Sequence, residues 1–177
     1  MMIMENPHLT NRITDNKGLS WLIEYSDADS FEDLPQERIK QTYGVCFYGD
    51  KLVIGFGGQK KGWGLIGGSV EEGETLEQTL RREIQEESNM EILAFLPIGY
   101  QKVISVETGK IIYQLRYACN VRPLGDFVID GGDGMSEKGI TEIKLIEPLA
   151  YREYFDWGEI GDRIIKRGLK MKEKFLK

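Results

Sequence analysis

This sequence predicts an α/β chain with a mixed β-sheet covered on both sides, and three observations carry that expectation. Runs of β-forming residues lie both before and after one helical stretch; that stretch has a capping signal and an apolar stripe; and a second amphipathic helical pattern closes the chain. At 177 residues the length suits one domain with a sizeable core and is too short for two ordinary ones. We therefore expect an N-terminal arm over residues 1–18 and a single domain over 19–177.

Taken in order, the arm shows little periodicity and holds His8, the single histidine, read as a surface residue with no catalytic role. Residues 19–25 lean towards a strand, and the acidic stretch 27–33 reads as a loop ending near Pro35, with a short helical turn over 36–40. Residues 42–48 and 51–56 flank Gly49-Asp50, which is a β-hairpin signal. A loop with Lys60 and Lys61 follows; both read as solvated lysines, the alternative being that one reaches a phosphate. A short strand is expected over 63–66.

The central helix starts near Thr75, because Thr75 followed three residues later by Gln78 is a capping-box pattern. At about 100° of rotation per residue, Leu76, Leu80 and Ile84 form one narrow apolar stripe. Glu77, Gln78, Arg81, Gln85 and Ser88 fall on the opposite arc. Glu83 and Glu87 continue the stripe and Glu86 flanks it, one turn from Arg82. These carboxylates occupy the last turns, where the negative end of the helix dipole disfavours anions by roughly 0.3–1 kcal/mol each, so helix stability does not ask for them. A solvated acidic face is the ordinary reading of a Glu-rich helix. Carboxylates on an apolar stripe must instead be paired, protonated or bound to a cation, and hard oxygen ligands at this spacing suit Mg²⁺ or Mn²⁺.

After the helix, residues 91–96 and 99–107 are β-rich, Thr108-Gly109 is a turn, and 110–121 returns as the partner strand. The glycine-rich acidic segment 130–139 reads as a loop. Residues 140–146 alternate apolar and polar side chains as a last strand, ended by Pro148. From Trp157 onward, Ile160, Ile164, Ile165 and Leu169 amid Arg and Lys form an amphipathic helix that docks on the core.

The stretch from Gly68 to Met90 resembles the signature of the Nudix hydrolases, G-x5-E-x7-R-E-U-x-E-E-x-G-U with U a bulky aliphatic residue. Gly68, Glu74, Arg82, Glu83, Ile84, Glu86, Glu87 and Met90 match, eight of nine specified positions across 23 residues. Asn89 stands where the family has glycine, and asparagine is the non-glycine residue that best tolerates a left-handed C-cap. Ile66 stands where many members carry proline before the paired glycines. The resemblance implies the α/β/α sandwich of the Nudix fold and hydrolysis of a nucleoside diphosphate linked to another moiety. By the same resemblance Glu83, Glu86 and Glu87 hold Mg²⁺, with Mn²⁺ as a substitute, while Arg82 pairs with Glu74 and Gly67 and Gly68 form the loop against metal and phosphates. The family takes its general base from the helix or from a later loop. The catalytic candidates are accordingly Glu86 and Arg82 on the helix and Glu137 in the later loop, with Asp133 behind it. The rival reading is a catalytically silent Nudix-fold module that senses or binds a nucleotide.

Composition narrows the partners. Lys and Arg number 23 against 29 Asp and Glu, a net charge of −6, which argues against binding a nucleic-acid backbone. A small nucleotide remains compatible, its charge offset by a cation. Tyr43, Phe47, Trp63 and Tyr113 are candidates for stacking a base, although aromatics at strand positions more often belong to a core. Cys46 and Cys119 read as small core residues of a reduced protein, and no eighteen apolar residues run together, so we expect a cytoplasmic protein without a membrane partner. Dimerisation suits the family; no sequence feature decides it.

Overall fold

The computed structural model describes residues 8–58, 61–127 and 139–176. In chain order the elements are β1 (His8–Thr14), β2 (Ser20–Asp27), β3 (Ile39–Tyr48), β4 (Lys51–Gly57), β5 (Gly62–Gly64), β6 (Ile66–Ser69), α1 (Leu76–Ser88), β7 (Met90–Ser105), β8 (Ile111–Pro123), β9 (Ile140–Ile146) and α2 (Gly158–Lys172). One sheet runs β1, β2, β7, β8, β3, β4, β5, with β6 also paired to β3 and β9 to β4. β3 and β8 are parallel and the other pairs antiparallel, so the sheet is mixed as expected.

Strand alternation divides the core into two layers. Val45, Phe47, Leu52 and Ile54 pack with Ile160, Ile164 and Ile165 of α2. Their neighbours Cys46 and Val53 point the other way and join Ile66, Leu80 and Ile84 beneath α1. Leu80, Ile84 and Ile164 are fully buried, and burial of each contributes about 1.5–3 kcal/mol. The helices therefore cover opposite faces, which is the expected α/β/α arrangement.

Local signals explain most boundaries. Gly49, at φ 61°, makes the tight turn between β3 and β4, and Gly109, at φ 71°, makes the turn before β8. The short helical turn after Pro35 is a 3₁₀ turn, Gln36–Arg38. The two cysteines are buried and free, on adjacent strands in register.

Four features differ from the sequence expectations. Part of the expected arm, His8–Thr14, is a strand paired along β2 and extends the sheet at its edge. The short strand at 63–66 divides in two, β5 joining β4 and β6 joining β3, because the chain crosses from one strand to its neighbour at Leu65. β6 runs on to Ser69, so Gly67 and Gly68, expected in a loop, lie in a strand paired with Tyr43 and Thr42. The two β-rich pieces after α1 are one strand, β7, with register shifts at Ile92/Ala94 and Pro97/Gly99. Ser88, assigned to the polar arc of α1, is buried; its hydroxyl turns back to the Ile84 carbonyl, and Leu124 N–H donates to the Asn89 carbonyl over that end of the helix.

Candidate functional site

The site begins with the cap of α1. Thr75 Oγ1 accepts from Gln78 N–H at 3.1 Å and Gln78 Oε1 accepts from Thr75 N–H at 2.9 Å, the reciprocal box that the sequence signals. At the other end Asn89 adopts φ 53°, ψ 42°, and its N–H donates to Gln85 O, so asparagine performs the turn in place of glycine. The helix is thereby held at both ends, and two of its carboxylates, Glu83 and Glu87, face β6.

Glu74 ties the loop to the helix. Its Oε1 accepts from Glu71 N–H at 2.9 Å and from Thr79 Oγ1 at 3.1 Å, and both its oxygens take Arg82: Nε to Oε2 at 2.7 Å, Nη2 to Oε1 at 2.9 Å. This fork, with the help of the Glu71 amide, holds the Glu74 carboxyl down at about 2, and it raises the Arg82 guanidinium further above its ordinary value. Arg82 Nη2 also donates to the Ser69 carbonyl at 2.9 Å. Loop, strand and helix thus meet at one guanidinium.

The remaining nitrogen of Arg82 organises the other acids. Nη1 donates to Glu83 Oε1 at 2.9 Å and to Glu86 Oε2 at 3.1 Å. Glu83 is 14% exposed and Glu86 51%. Glu83 lies against Gly68, where an added Cβ would come within 2.5 Å of its carboxylate. Glu87 Oε2 accepts from Gly67 N–H at 3.1 Å. Glu83 and Glu87 are therefore both seated on the paired glycines, while Glu86 stands outward.

Successive glycines leave β6 bare on both faces. Gly68 makes room for Glu83 on the α1 side, and Gly67 rests on Tyr43, whose Cδ1 would lie 2.7 Å from an added Cβ. A side chain at Gly67 would meet the backbone of Thr42 and Tyr43 and push the strand from its neighbour, and one at Gly68 would displace the Glu83 carboxylate. The Tyr43 hydroxyl is raised by burial, with Glu87 and Glu83 adding to the shift and Arg116 opposing it. Thr42, the cross-strand partner of Gly68, is fully buried and its Oγ1 has no hydrogen-bond partner.

Among the described residues no three His, Cys, Asp or Glu side chains are gathered closely enough to hold a metal ion as they stand. On the helix, Arg82 stands between Glu83 and Glu86. The residue types nevertheless fit a hard divalent cation: the donors are carboxylate oxygens, one positive group already sits between two of them, and Gly68 forms a cradle that a Cβ would fill.

Other candidates scatter. Glu137, Asp133 and Lys60 lie outside the described residues. Lys61 has a left-handed backbone, φ 48°. Phe47 is fully buried beneath α2, with Lys172 over its ring at 5.2 Å. Trp63 packs edge-on against Phe56 and Tyr154, and Tyr113 packs on Tyr100. Of the four aromatics, Tyr43 is the one that lies against Gly67. Thr42 was missed in the sequence, where it reads as one more β-branched strand residue.

Comparison with known proteins bears on the family and the fold. The family model described as NUDIX domain matches residues 40–156, most of the chain. A nucleoside triphosphatase, NudI, of Enterobacter sp. (strain 638) is 48% identical over 48 residues, 26% of this chain and 34% of that protein, so the match spans about a third of the relative's length. Among solved structures, the pyrophosphohydrolase BsRppH of Bacillus subtilis is similar with a TM-score of 0.58 at 19% identity, over 93% of this chain and 97% of that one. A Nudix hydrolase from Nitrosomonas europaea also gives a TM-score of 0.58, at 16% identity, over 76% of this chain and 90% of that one. At such identities the structural likeness speaks for the fold, and the family model speaks for the family. The chain belongs to the Nudix hydrolase family.

Proposed function

We propose that this chain is a Mg²⁺-dependent pyrophosphohydrolase that cleaves the diphosphate of a nucleoside diphosphate linked to another moiety, a nucleoside triphosphate, ADP-ribose or a nucleotide sugar. The observation that carries the reading is the Arg82 hub, with Glu74 on one side, Glu83 and Glu86 on the other, and Glu83 and Glu87 seated on Gly68 and Gly67. A pyrophosphohydrolase needs carboxylates held rigidly beside a backbone that phosphate oxygens can approach. This arrangement supplies both.

Glu83, Glu86 and Glu87 would hold Mg²⁺, for which Mn²⁺ can substitute. When bound, the cation offsets charge on the phosphoryl and leaving oxygens and acidifies or orients the attacking water. Arg82 acts as a positioning residue that aims the carboxylates, and Glu74 fixes the rotamer of Arg82 through two parallel hydrogen bonds. Gly67 and Gly68 let the substrate's phosphates come close to the main chain. The proton of the attacking water goes to a carboxylate, either Glu86, the most exposed of the three, or Glu137 of the later loop.

The test is a phosphate-release screen across nucleoside triphosphates, nucleotide sugars, ADP-ribose and dinucleoside polyphosphates with Mg²⁺ or Mn²⁺, run with and without added pyrophosphatase. We expect one class to be turned over, with kcat reduced by at least about 100-fold in Glu87→Gln. Unchanged turnover in that variant would remove Glu87 from the site, and silence across the panel would favour a nucleotide-binding module without catalysis.

A further inference from the structure

On the face of the sheet turned away from α1, one charged side chain is not explained by packing. Arg116 of β8 is 4% exposed. Its Nη1 donates to the Leu115 carbonyl at 3.2 Å, and its Nη2 donates to Gln101 Oε1 and, at 3.3 Å, to Gln114 Oε1. Its Nε–H is buried without an acceptor. The guanidinium lies 4.6 Å from the centroid of the Tyr43 ring. All these acceptors are neutral, and burial without a counter-charge brings the guanidinium's proton affinity down to about 10.

A cation in this state is a poor structural element. Ring, carbonyl and amides satisfy some of its donors but leave its charge uncompensated, and an apolar side chain of similar volume often serves a core as well or better. The amides around it are held in place: Gln114 Nε2 donates to Gln41 Oε1 at 2.6 Å, so Gln41, Gln114 and Gln101 form a lateral row beside the arginine. Tyr43, Gln41 and Gln114 are only partly buried.

Its position relates it to the carboxylate site. Gly67 of β6 pairs with Tyr43 of β3, and Tyr43 pairs with Arg116 of β8. Two strand spacings, roughly 10 Å, separate the glycine backbone from the backbone of Arg116, and the Tyr43 ring that the guanidinium faces lies on the strand between them. Contact is continuous along the way, since Glu87 takes the Gly67 amide, Gly67 rests on the Tyr43 ring, and that ring lies under the guanidinium.

We infer that Arg116, held by Gln101 and Gln114 and backed by Tyr43, is a substrate-binding residue that takes an oxygen of the phosphate chain extending from the group seated at Gly67 and Gly68; this rests on the pyrophosphohydrolase reading above. A phosphate oxygen supplies what the site lacks, an acceptor for Nε–H and a negative charge, in the geometry guanidinium groups recognise. A nucleobase carbonyl would satisfy the donor and leave the charge.

Arg116→Met and Arg116→Lys test this in two ways. In thermal melts with a chelator present, tripolyphosphate should raise the Tm of the unsubstituted protein. That shift should vanish in Arg116→Met and persist in part in Arg116→Lys, while the Tm of Arg116→Met without ligand equals or exceeds that of the parent. With the nucleotide found by the screen, KM should rise at least about tenfold in Arg116→Met and kcat should change far less. An Arg116→Met protein that melts lower or fails to fold assigns the arginine to the scaffold and overturns the inference. So does a tripolyphosphate shift that is absent in the parent or unchanged in the variant. A shift produced by a nucleoside lacking phosphates, and lost in Arg116→Met, would overturn it in favour of base recognition. Failure of the pyrophosphohydrolase reading has a different signature: no turnover in the screen while the tripolyphosphate shift still depends on Arg116.

Discussion

The two helices cover opposite faces of one sheet and are built on opposite terms. α2 buries Ile160, Ile164, Ile165 and Met171, carries Lys170 and Lys172 in its last turn where the dipole favours cations, and ties Arg163 and Arg167 to Asp27 and Asp29 near the start of the chain. α1 has a capping box at its start, no basic residue in its last turn, and Glu86 and Glu87 there instead. One helix follows the electrostatic preference of its own backbone and the other runs against it. The difference teaches that the carboxylates at the C-terminal end of α1 are not there for helix stability, and Arg82 supplies a compensating charge to Glu83 and Glu86.

The comparison breaks most visibly in reciprocal substitutions. Ile164→Ala should cost about 2–5 kcal/mol in denaturant unfolding and leave kcat of the folded protein unchanged. Glu87→Gln should lose its kcat and keep or slightly gain stability, because an anion leaves the unfavourable end of the dipole. If both substitutions moved both quantities together, the helices would not divide packing from chemistry.

A smaller effect sharpens the account of how α1 is anchored. Thr75→Ala removes the acceptor for Gln78 N–H and should lower stability by about 1 kcal/mol, read as a drop in the unfolding midpoint. The smallest effect appears only in acid. Glu74 titrates at about 2 in the folded protein instead of its ordinary 4.5, so its pair with Arg82 contributes fully above about 4.5 and is lost as pH falls towards 2. Tm against pH should therefore fall more steeply in the parent than in Glu74→Gln across that window. Parallel curves would show that the Glu74–Arg82 fork does not couple folding to pH.

Much of this was legible in the chain. The α1 boundaries followed from Thr75, Gln78 and Asn89, whose roles are local hydrogen bonds and local backbone angles. The β3–β4 hairpin followed from Gly49, and the docking face of α2 from its apolar spacing. The pairing of β1 with β2 was not legible, because the polar run 8–14 becomes a strand only through its neighbour. Ser88 was misplaced because a hydroxyl that turns back on its own helix can be buried at little cost. Arg116 had a signal that was passed over, a single cation within the apolar run 111–121.

The sequence by itself therefore determined the helix, its caps and the order of its carboxylates, since each rests on interactions spanning a few residues. Only the tertiary structure decided that Glu83 and Glu87 meet Gly68 and Gly67, that Thr42 lies buried opposite Gly68, and that Tyr43 joins Gly67 to Arg116. Those contacts depend on the register of β6, β3 and β8, and register is set by how two apolar faces of one sheet are filled at once, which no single segment encodes.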